Sequence, residues 1–193
     1  MSRTRLVVAT SNPGKLKEIG ELLGEMGCDL DLSLYDGPVP EEDGATYAEN
    51  ALKKALWAHE RTGLWALAED SGLEVLSLGG WPGVRSARVA PSDAERISLL
   101  LSRLGSSPDR RAVFVCCACA VGEGFRLLAE GFCFGSIAEG PRGEGGFGYD
   151  PVFVPEGFRR TFAEMGASAK NRLSHRGVAL RGLWRLVRSH GLC

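Results

Sequence analysis

No stretch of this 193-residue sequence contains the ~18 consecutive apolar residues that a membrane-spanning helix needs. The N-terminal segment MSRTRLVVAT has an apolar run too short for a signal peptide. These two absences predict a cytoplasmic protein without a membrane partner. Basic residues are not in excess, because 23 Lys and Arg stand against 24 Asp and Glu. We therefore expect no nucleic-acid polymer as a partner, although a few lysines can still hold a small anion.

Histidine is scarce, with three scattered residues, which disfavours zinc and leaves a hard metal with oxygen ligands. Cys116 and Cys119 have C-x-x-C spacing, but they lie in the apolar run Ala112–Val121, which is typical of a buried strand. A strand directs residues three apart to opposite faces, so the two thiols are predicted to be structural. No G-x-S-x-G or other Ser-His-Asp hydrolase pattern is present.

Alternating strand and helix patterns predict an α/β domain with a mixed sheet. Arg5–Thr10 has the β-branched character of a first strand, followed by Asn12 as an N-cap and Pro13 at the first helical position. The first half of the chain is then predicted to form a helix to about Met26, a strand at Cys28–Leu34, a helix from the capping box Thr46-x-x-Glu49 to Gly63, and a short strand within Leu64–Val75. The second half is predicted to form a helix from the capping box Ser92-x-x-Glu95 to Leu104, strands at Arg111–Val121 and Phe125–Phe134 joined by a hairpin turn at Gly122-Glu123-Gly124, a strand at Pro151–Val154, a helical turn at Phe162–Met165, and a helix at Ser174–His190.

The stretch Leu64–Val75 is typical of a short apolar strand that ends in Glu69-Asp70-Ser71-Gly72, so an acidic pair is expected at the carboxyl end of a strand. Open α/β sheets bind ligands at the carboxyl ends of their strands, and carboxylates are typical of Mg²⁺ sites. Because successive strand residues point to opposite faces, we expect only one of the two acids to face a ligand. The expected function of Asp70 is to act on a metal-bound nucleoside triphosphate.

The capped helix that precedes this strand offers a lysine and an amide beside its predicted apolar stripe. Asn50 and Lys54 are four residues apart and share one face. The predicted stripe consists of Ala48, Ala51, Leu52, Ala55 and Leu56. Just before the helix lies a second acidic cluster, Glu41, Glu42 and Asp43, which is either a metal ligand or a solvated loop.

A second candidate, Thr10–Lys15, connects the first strand to the first helix. A helix N-terminus with free backbone N–H groups attracts anions, and the hydroxyls of Thr10 and Ser11 and the charge of Lys15 would add to it. It lacks the spacing of a P-loop. The segment is therefore either a phosphate site or an ordinary capped turn.

The segment Gly143–Gly148 matches G-x-G-x-x-G, but it precedes a strand instead of opening a helix after one, so we reject a dinucleotide site. Its alternatives are a loop that presents Phe147, Tyr149 and Asp150 to a nucleobase, or simple packing. Further along, His175-Arg176 follows Lys170 at the start of the last helix. That pair suits a keto-bearing base or a phosphate, or else a polar helix start.

Six motifs occur in order: SNPGK, ENALKKA, EDSGLEV, GGWPGVRSAR, GGFGYDPVF and SHRGVAL. Together they resemble the inosine triphosphate pyrophosphatase family, the Ham1-like or RdgB-like enzymes, over about residues 6–187. Two departures are Glu69, where many members have Asp, and Val89, where many have an aromatic residue.

The resemblance implies one pyrophosphatase domain over residues 1–193, with an elongated mixed β-sheet flanked by helices and two lobes around a central cleft. It implies hydrolysis of ITP, dITP and XTP to the monophosphate and pyrophosphate, one or more Mg²⁺ ions, and a homodimer. Asp70 would bind metal and deprotonate the water that attacks the α-phosphorus. Glu42 is preferred over Glu41 as the second metal ligand.

The resemblance also assigns the substrate contacts by motif. The triphosphate would lie on Thr10, Ser11, Asn12, Pro13, Gly14 and Lys15, with added charge from Lys54 and a contact from Ser71. The base would be enclosed by Phe147, Gly148, Tyr149, Asp150, His175 and Arg176, assisted by Lys170. A donor such as Arg176 would favour a 6-keto base over adenine. Two alternatives stay open: a pyrophosphatase for other modified or ordinary (d)NTPs, and a silent nucleotide-binding module.

Overall fold

The computed structural model describes residues 4–28 and 30–191 and shows one six-stranded sheet with strand order β2-β1-β3-β4-β5-β6. The strands are β1 Thr4–Val8, β2 Leu30–Leu34, β3 Trp65–Val75, β4 Arg111–Gly122, β5 Phe125–Ile137 and β6 Phe153–Pro155. The helices are α1 Pro13–Glu25, α2 Tyr47–Thr62, α3 Asp93–Leu104, α4 Ala167–Leu173 and α5 His175–Ser189. Because β1 pairs in parallel with β2 and β3 while β5 pairs antiparallel with β6, the predicted mixed α/β sheet is confirmed.

The chain folds into two compact units. The first unit comprises Met1–Asp70, Cys116–Gly131 and Arg176–Cys193, and the second comprises Ser71–Val115 and Phe132–His175. Within the part of the chain that the structure describes, no helix is both long enough and apolar enough to cross a membrane.

The core of the first unit packs α1 and α5 against β1, β3 and β4. Ile19 and Leu22 of α1 and Leu180 and Leu183 of α5 are almost fully buried in it. Helix α1 begins where predicted, because the Asn12 side chain accepts hydrogen bonds from the Gly14 and Lys15 backbone. These contacts fix the turn between β1 and α1 against a buried helix.

Helix α2 confirms its predicted ends but not its predicted stripe. Thr46 and Glu49 form both halves of the capping box, and Gly63 ends the helix in the left-handed conformation at φ 66°. The buried residues are Tyr47, Asn50, Ala51, Lys54, Ala55 and Ala58, whereas Ala48, Leu52 and Leu56 are only partly buried. The prediction selected apolar residues wherever they occurred and did not consider that polar residues can lie on the buried face. It therefore omitted Asn50 and Lys54, which both belong to that face.

The second unit has its own core around Phe114, which lies 4.6 Å from the Phe153 ring. Its helix α3 starts at the predicted capping box, where Ser92 accepts from the Glu95 backbone. Strand β6 lies two residues later than predicted at its start, because Pro151 and Val152 belong to the turn that precedes it.

One further prediction about the elements was wrong. Strand β3 does not end at the acidic pair but continues through it to Val75, so Glu69 and Asp70 lie inside a strand. The last helix, predicted at Ser174–His190, is confirmed as α5, whereas the short helix α4 just before it was not predicted. The hairpin prediction agrees with the sheet, since β4 and β5 are neighbours joined by Glu123-Gly124.

Gly135 gives a test of how β5 and β6 pack. A Cβ atom at Gly135, opposite Pro155, would lie 2.7 Å from Cζ of Phe153 and closer still to the Val154 carbonyl. We expect Gly135→Ala to lower the free energy of unfolding by about 1–3 kcal/mol in urea titrations, because neither neighbour can yield without moving the sheet. Gly140→Ala is the control, because no atom lies within 4 Å of its Cβ position. Equal stability of the two variants would contradict the close packing.

Candidate active site

The two acids of β3 point to opposite sides of the strand, as the strand period requires. The Asp70 carboxylate meets α2, where it accepts a hydrogen bond of 2.9 Å from Asn50 Nδ2. The Glu69 carboxylate meets α1, where Lys15 Nζ lies 2.8 Å from its Oε1. As predicted, Glu69 and Asp70 do not act as one pair.

Lys54 is the cation that Asp70 and Glu42 share. Its Nζ donates to Glu42 Oε1, lies 3.7 Å from Asp70 Oδ1, and donates at 2.8 Å to the Glu69 backbone carbonyl. Glu42 is partly buried, whereas Glu41 is exposed. The predicted ligands Glu42 and Asp70 are therefore brought together around one positive group.

Burial is the largest influence on Asp70 and raises its pKa above its usual range. Lys54 and Lys15 lower that pKa, and Glu42 raises it again, with the net shift upward. A carboxylate with a raised pKa is a stronger base than a free aspartate. The environment of Asp70 thus suits proton abstraction better than a solvated loop would.

A metal ion fits the donors at this position. Both carboxylates already lie in ion-pair contact with Lys54, and carboxylate oxygens are the ligands that Mg²⁺ prefers. No group of three or more His, Cys, Asp and Glu side chains suited to an ion occurs among the described residues. A metal bound by Glu42 and Asp70 would need water or phosphate oxygens as further ligands, which is typical of Mg²⁺.

Residues Thr10–Pro13 of the turn between β1 and α1 line a cavity of about 350 Å³, together with Tyr35 and its neighbours, whereas Lys15 does not line it. That volume lies within the range of small-ligand sites. The prediction of free backbone N–H groups is wrong for Gly14 and Lys15, because both donate to Asn12 Oδ1, at 2.9 and 3.1 Å. Anion binding at this turn stays a prediction, and it would depend on the Lys15 side chain, the hydroxyls and the helix dipole.

Glu69 is the centre of a buried charge network in the first unit. Besides Lys15, it has Arg176 Nη2 at 3.5 Å and accepts a hydrogen bond from the Cys116 thiol at 3.3 Å. Burial alone would raise the pKa of Glu69, but Arg176, Lys15 and Lys54 outweigh burial and lower it well below its ordinary value. Glu69 is thus held ionised although its side chain is fully buried.

Arg176 is itself 2% exposed and joins α5 to α1 through an ion pair with Glu18. Glu18 was not identified from the sequence, although it lies one helical turn after Lys15 on α1, a spacing that could have indicated it. The guanidinium is therefore engaged by two carboxylates within its own unit. Its predicted contact with a base stays a prediction.

In the second unit, Asp150 organises the glycine-rich loop. Its Oδ2 accepts from Lys170 Nζ at 2.5 Å and from the Phe147 backbone at 2.9 Å, and Lys170 Nζ lies 4.9 Å from the centre of the Phe147 ring. Gly146 stands at φ 73°, and a Cβ atom there would collide with the Asp150 carboxylate. This close approach explains the glycine without a dinucleotide.

The remaining predicted base contacts are also placed within the second unit. Tyr149 is buried and its hydroxyl donates to the Ser86 carbonyl at 3.0 Å, while Gly148 N donates to Asp93 Oδ2 at 2.7 Å. Burial raises the pKa of Tyr149 to about 12. The His175 ring stacks on Phe114 at 4.6 Å between centroids. Ser71 follows Asp70 on β3 and is half-buried.

The buried Glu69 predicts a specific dependence of stability on pH. Because its folded pKa lies below the ordinary 4.5, its stabilising effect is complete above that pH and declines as pH falls below it. Glu69→Gln should lower the free energy of unfolding by about 3–5 kcal/mol at pH 7, since it leaves buried cations uncompensated. Urea titrations should show this difference shrinking as pH falls from 7 toward and below 4.

Glu60→Gln is the matched control, because Glu60 is exposed on α2. It should unfold like the parent at every pH, with a change of at most about 0.5 kcal/mol. A Glu69→Gln protein as stable as the parent at pH 7, or a difference independent of pH, would show that the network does not stabilise the fold.

Comparison with known proteins shows to which family this chain belongs. The model of the Ham1 family matches residues 6–186. A dITP/XTP pyrophosphatase from Thermus thermophilus is 51% identical over 187 residues, covering 93% of this chain and 89% of that protein. One from Gloeobacter violaceus is 50% identical over 180 residues, covering 92% and 91%. The solved structure of a HAM1 protein from Coxiella burnetii superposes with a TM-score of 0.84 at 39% identity, over 96% of this chain and 99% of that one. This chain therefore belongs to the Ham1 family.

Proposed function

We propose that this chain is a nucleoside triphosphate pyrophosphatase that hydrolyses the noncanonical purine nucleotides dITP, XTP and ITP to the monophosphate and pyrophosphate. The observation that carries the proposal is the position of Asp70, which shares Lys54 with Glu42 and receives a hydrogen bond from Asn50. This arrangement occurs in a chain about half identical to proteins named dITP/XTP pyrophosphatase.

Asp70 is proposed as the base that takes a proton from the attacking water. Burial raises its pKa, so the carboxylate binds a proton more readily than a solvated aspartate does. The hydrogen bond from the Asn50 amide is proposed to hold the carboxylate in one orientation while the proton is transferred. Attack on the α-phosphorus then releases pyrophosphate as the leaving group.

Glu42 and Asp70 are proposed to hold Mg²⁺, with Glu42 favoured over Glu41 because it is the residue that reaches Lys54. A bound Mg²⁺ ion offsets phosphate charge that would otherwise repel a nucleophile. Lys54 lies between both carboxylates and offsets one of their two negative charges before a metal binds.

Lys15 and Lys54 are proposed to contact the triphosphate. Lys15 is paired with Glu69, and its side chain is 15% exposed whereas that of Glu69 is fully buried, so Lys15 is the partner nearer to solvent. Residues Thr10–Pro13 of the turn beside it line a cavity. Ser71, next to Asp70 on β3, is included as a substrate contact because of its proximity in the chain.

The glycine-rich loop, Phe147–Asp150, is proposed to enclose the base with Lys170 and His175. The Phe147 ring is only partly buried, and Lys170 and Asp150 fix the loop that carries it. An aromatic face of this kind stacks on a purine. Arg176 stays in the proposal as a base contact, although its two carboxylate partners also give it a role in holding Glu69. The homodimer and the cytoplasmic location stay predictions.

Pyrophosphate release tests the substrate class directly. With Mg²⁺, we expect dITP, XTP and ITP to be hydrolysed with kcat/KM at least about 100-fold above ATP, because a site that donates a hydrogen bond to a 6-keto oxygen rejects the 6-amino group of adenine strongly. Omitting Mg²⁺ should abolish release. Fast hydrolysis of ATP or dTTP without hydrolysis of ITP would instead favour the alternative pyrophosphatase, and ITP binding without release would favour a silent binding module.

Asp70→Asn separates catalysis from stability. Turnover should fall by about 10²–10⁴-fold, the usual contribution of a general base. In metal-free buffer at pH 7 the variant should melt no lower than the parent, because a raised carboxylate pKa means that the charged Asp70 destabilises the fold. That destabilisation is complete above the raised pKa and disappears below 3.8, so the difference in Tm should narrow as pH falls.

Asp43→Asn is the control for this variant, because Asp43 is exposed and loses only its pair with Lys53. It should keep the parent turnover. An Asp70→Asn enzyme that retains turnover would refute Asp70 as the base.

Phe147→Ala tests base stacking. Loss of one aromatic face should raise KM for ITP by about tenfold or more, in line with about 1–3 kcal/mol per stacked base, with a smaller change in kcat. Phe158→Ala, which removes another partly exposed ring of the second unit, should leave both constants unchanged. Unchanged KM in Phe147→Ala would place base recognition elsewhere.

A further inference from the structure

Asn50 is a fully buried amide on the inner face of helix α2, which it shares with three alanines, Tyr47 and Lys54. Its exposure is 0%, and Ala51 and Ala55 beside it are equally buried. Burial of an unpaired amide is unfavourable, so a buried asparagine needs partners for both ends of its side chain. Asn50 has both within its own unit.

The two partners fix which way the amide points. The Gly44 backbone N–H can only donate, and it donates to Asn50 Oδ1 at 2.8 Å. The opposite end, Nδ2, therefore faces Asp70 Oδ2, to which it donates at 2.9 Å. Because Nδ2 can only donate, Asp70 Oδ2 must accept, and the other carboxylate oxygen, Oδ1, is directed to Lys54.

Gly44 belongs to the loop that carries Glu42, two residues earlier. A Cβ atom at Gly44 would lie 2.7 Å from Asn50 Oδ1, so a glycine is required for the backbone to approach the amide. Four residues after Asn50, Lys54 holds Glu42 itself. Two side chains on one face of α2 thus hold the loop and the strand that supply the two carboxylates.

We propose that Asn50 is a positioning residue that couples the Glu42 loop to the orientation of Asp70, so that both carboxylates are arranged before metal and nucleotide bind. The inference rests on the proposed function for its catalytic consequence. Its structural content, one amide that joins Gly44 to Asp70, can be tested without a substrate.

Two variants separate the two ends of the amide. Asn50→Ala removes both contacts. Asn50→Asp keeps an acceptor for Gly44 but replaces the donor to Asp70 with a second carboxylate. Lys53→Ala is the control, because Lys53 anchors the same loop through Asp43 from the exposed side of α2. Surface pairs of that kind contribute little.

Catalysis reports on the Asp70 end. We expect kcat to fall by about 10–100-fold in both Asn50 variants, with the Mg²⁺ concentration for half-maximal rate raised and KM for the nucleotide changed less than about threefold. Lys53→Ala should match the parent. An Asn50→Asp enzyme with the parent kcat would overturn the coupling to Asp70.

Hydrogen exchange of the metal-free, nucleotide-free protein reports on the loop end. Peptides covering residues 36–46 should exchange faster in Asn50→Ala, because the Gly44 N–H loses its acceptor, and at the parent rate in Asn50→Asp. Unchanged exchange in a folded Asn50→Ala protein would overturn the anchoring of the loop.

Exchanging the side chains at positions 50 and 70 tests the proposal by thermal stability, without a measurement of turnover. Asn50→Asp should lower Tm in metal-free buffer, because two carboxylates then face each other. Adding Asp70→Asn should restore most of the loss, because the pair then again consists of one amide donor and one carboxylate acceptor, with the two ends exchanged. Strictly additive Tm changes would overturn the proposal. If the parent releases no pyrophosphate, the proposed function fails, and the exchange and swap results still decide whether Asn50 joins the loop to Asp70.

Discussion

Two neighbouring carboxylates on one buried strand create the constraint on which the first unit depends. Because they point to opposite sides, each needs its own positive partners within the fold. Glu69 is balanced by Lys15 and Arg176, which come from α1 and α5. Asp70 is balanced by Lys54 of α2. The positions of three helices are thus tied to the charge on a single dipeptide of β3.

The two sides of β3 are suited to different tasks. The Glu69 side is closed, since its carboxylate is fully buried and its partner Arg176 is held a second time by Glu18. The Asp70 side is held by an amide and by a lysine that also contacts the partly buried Glu42. A closed network can fix the strand, whereas the groups on the Asp70 side are the ones that would change partners if the proposed metal and nucleotide bind there.

Local signals in the sequence predicted the helix starts well, because capping is local chemistry. Asn12, Thr46 and Ser92 cap the helices that were expected to start after them. The sequence also proposed Asp70 and Glu42 as candidate metal ligands, and both contact Lys54 in the structure, while their role as ligands stays a prediction.

Contacts between distant parts of the chain were harder to predict. The sequence placed Asn50 beside Lys54 but not in contact with Asp70, and it gave Glu18 no role at all. Their importance arises from partners 20 and 158 residues away in the sequence. Helix α4 was missed as well, because its seven residues ASAKNRL show no apolar periodicity that indicates a helix.

The thiol of Cys116 shows what the Glu69 network does to a neighbouring group. Burial and the adjacent Glu69 charge raise its pKa well above the ordinary value of a cysteine. The thiolate is the form that reacts with peroxides, disulfides and alkylating agents. Cys116 is therefore kept in its unreactive protonated form, as a hydrogen-bond donor. Burial, together with the same negative charge that organises the helices, thus disfavours the oxidation-prone thiolate of a cysteine beside the proposed catalytic strand.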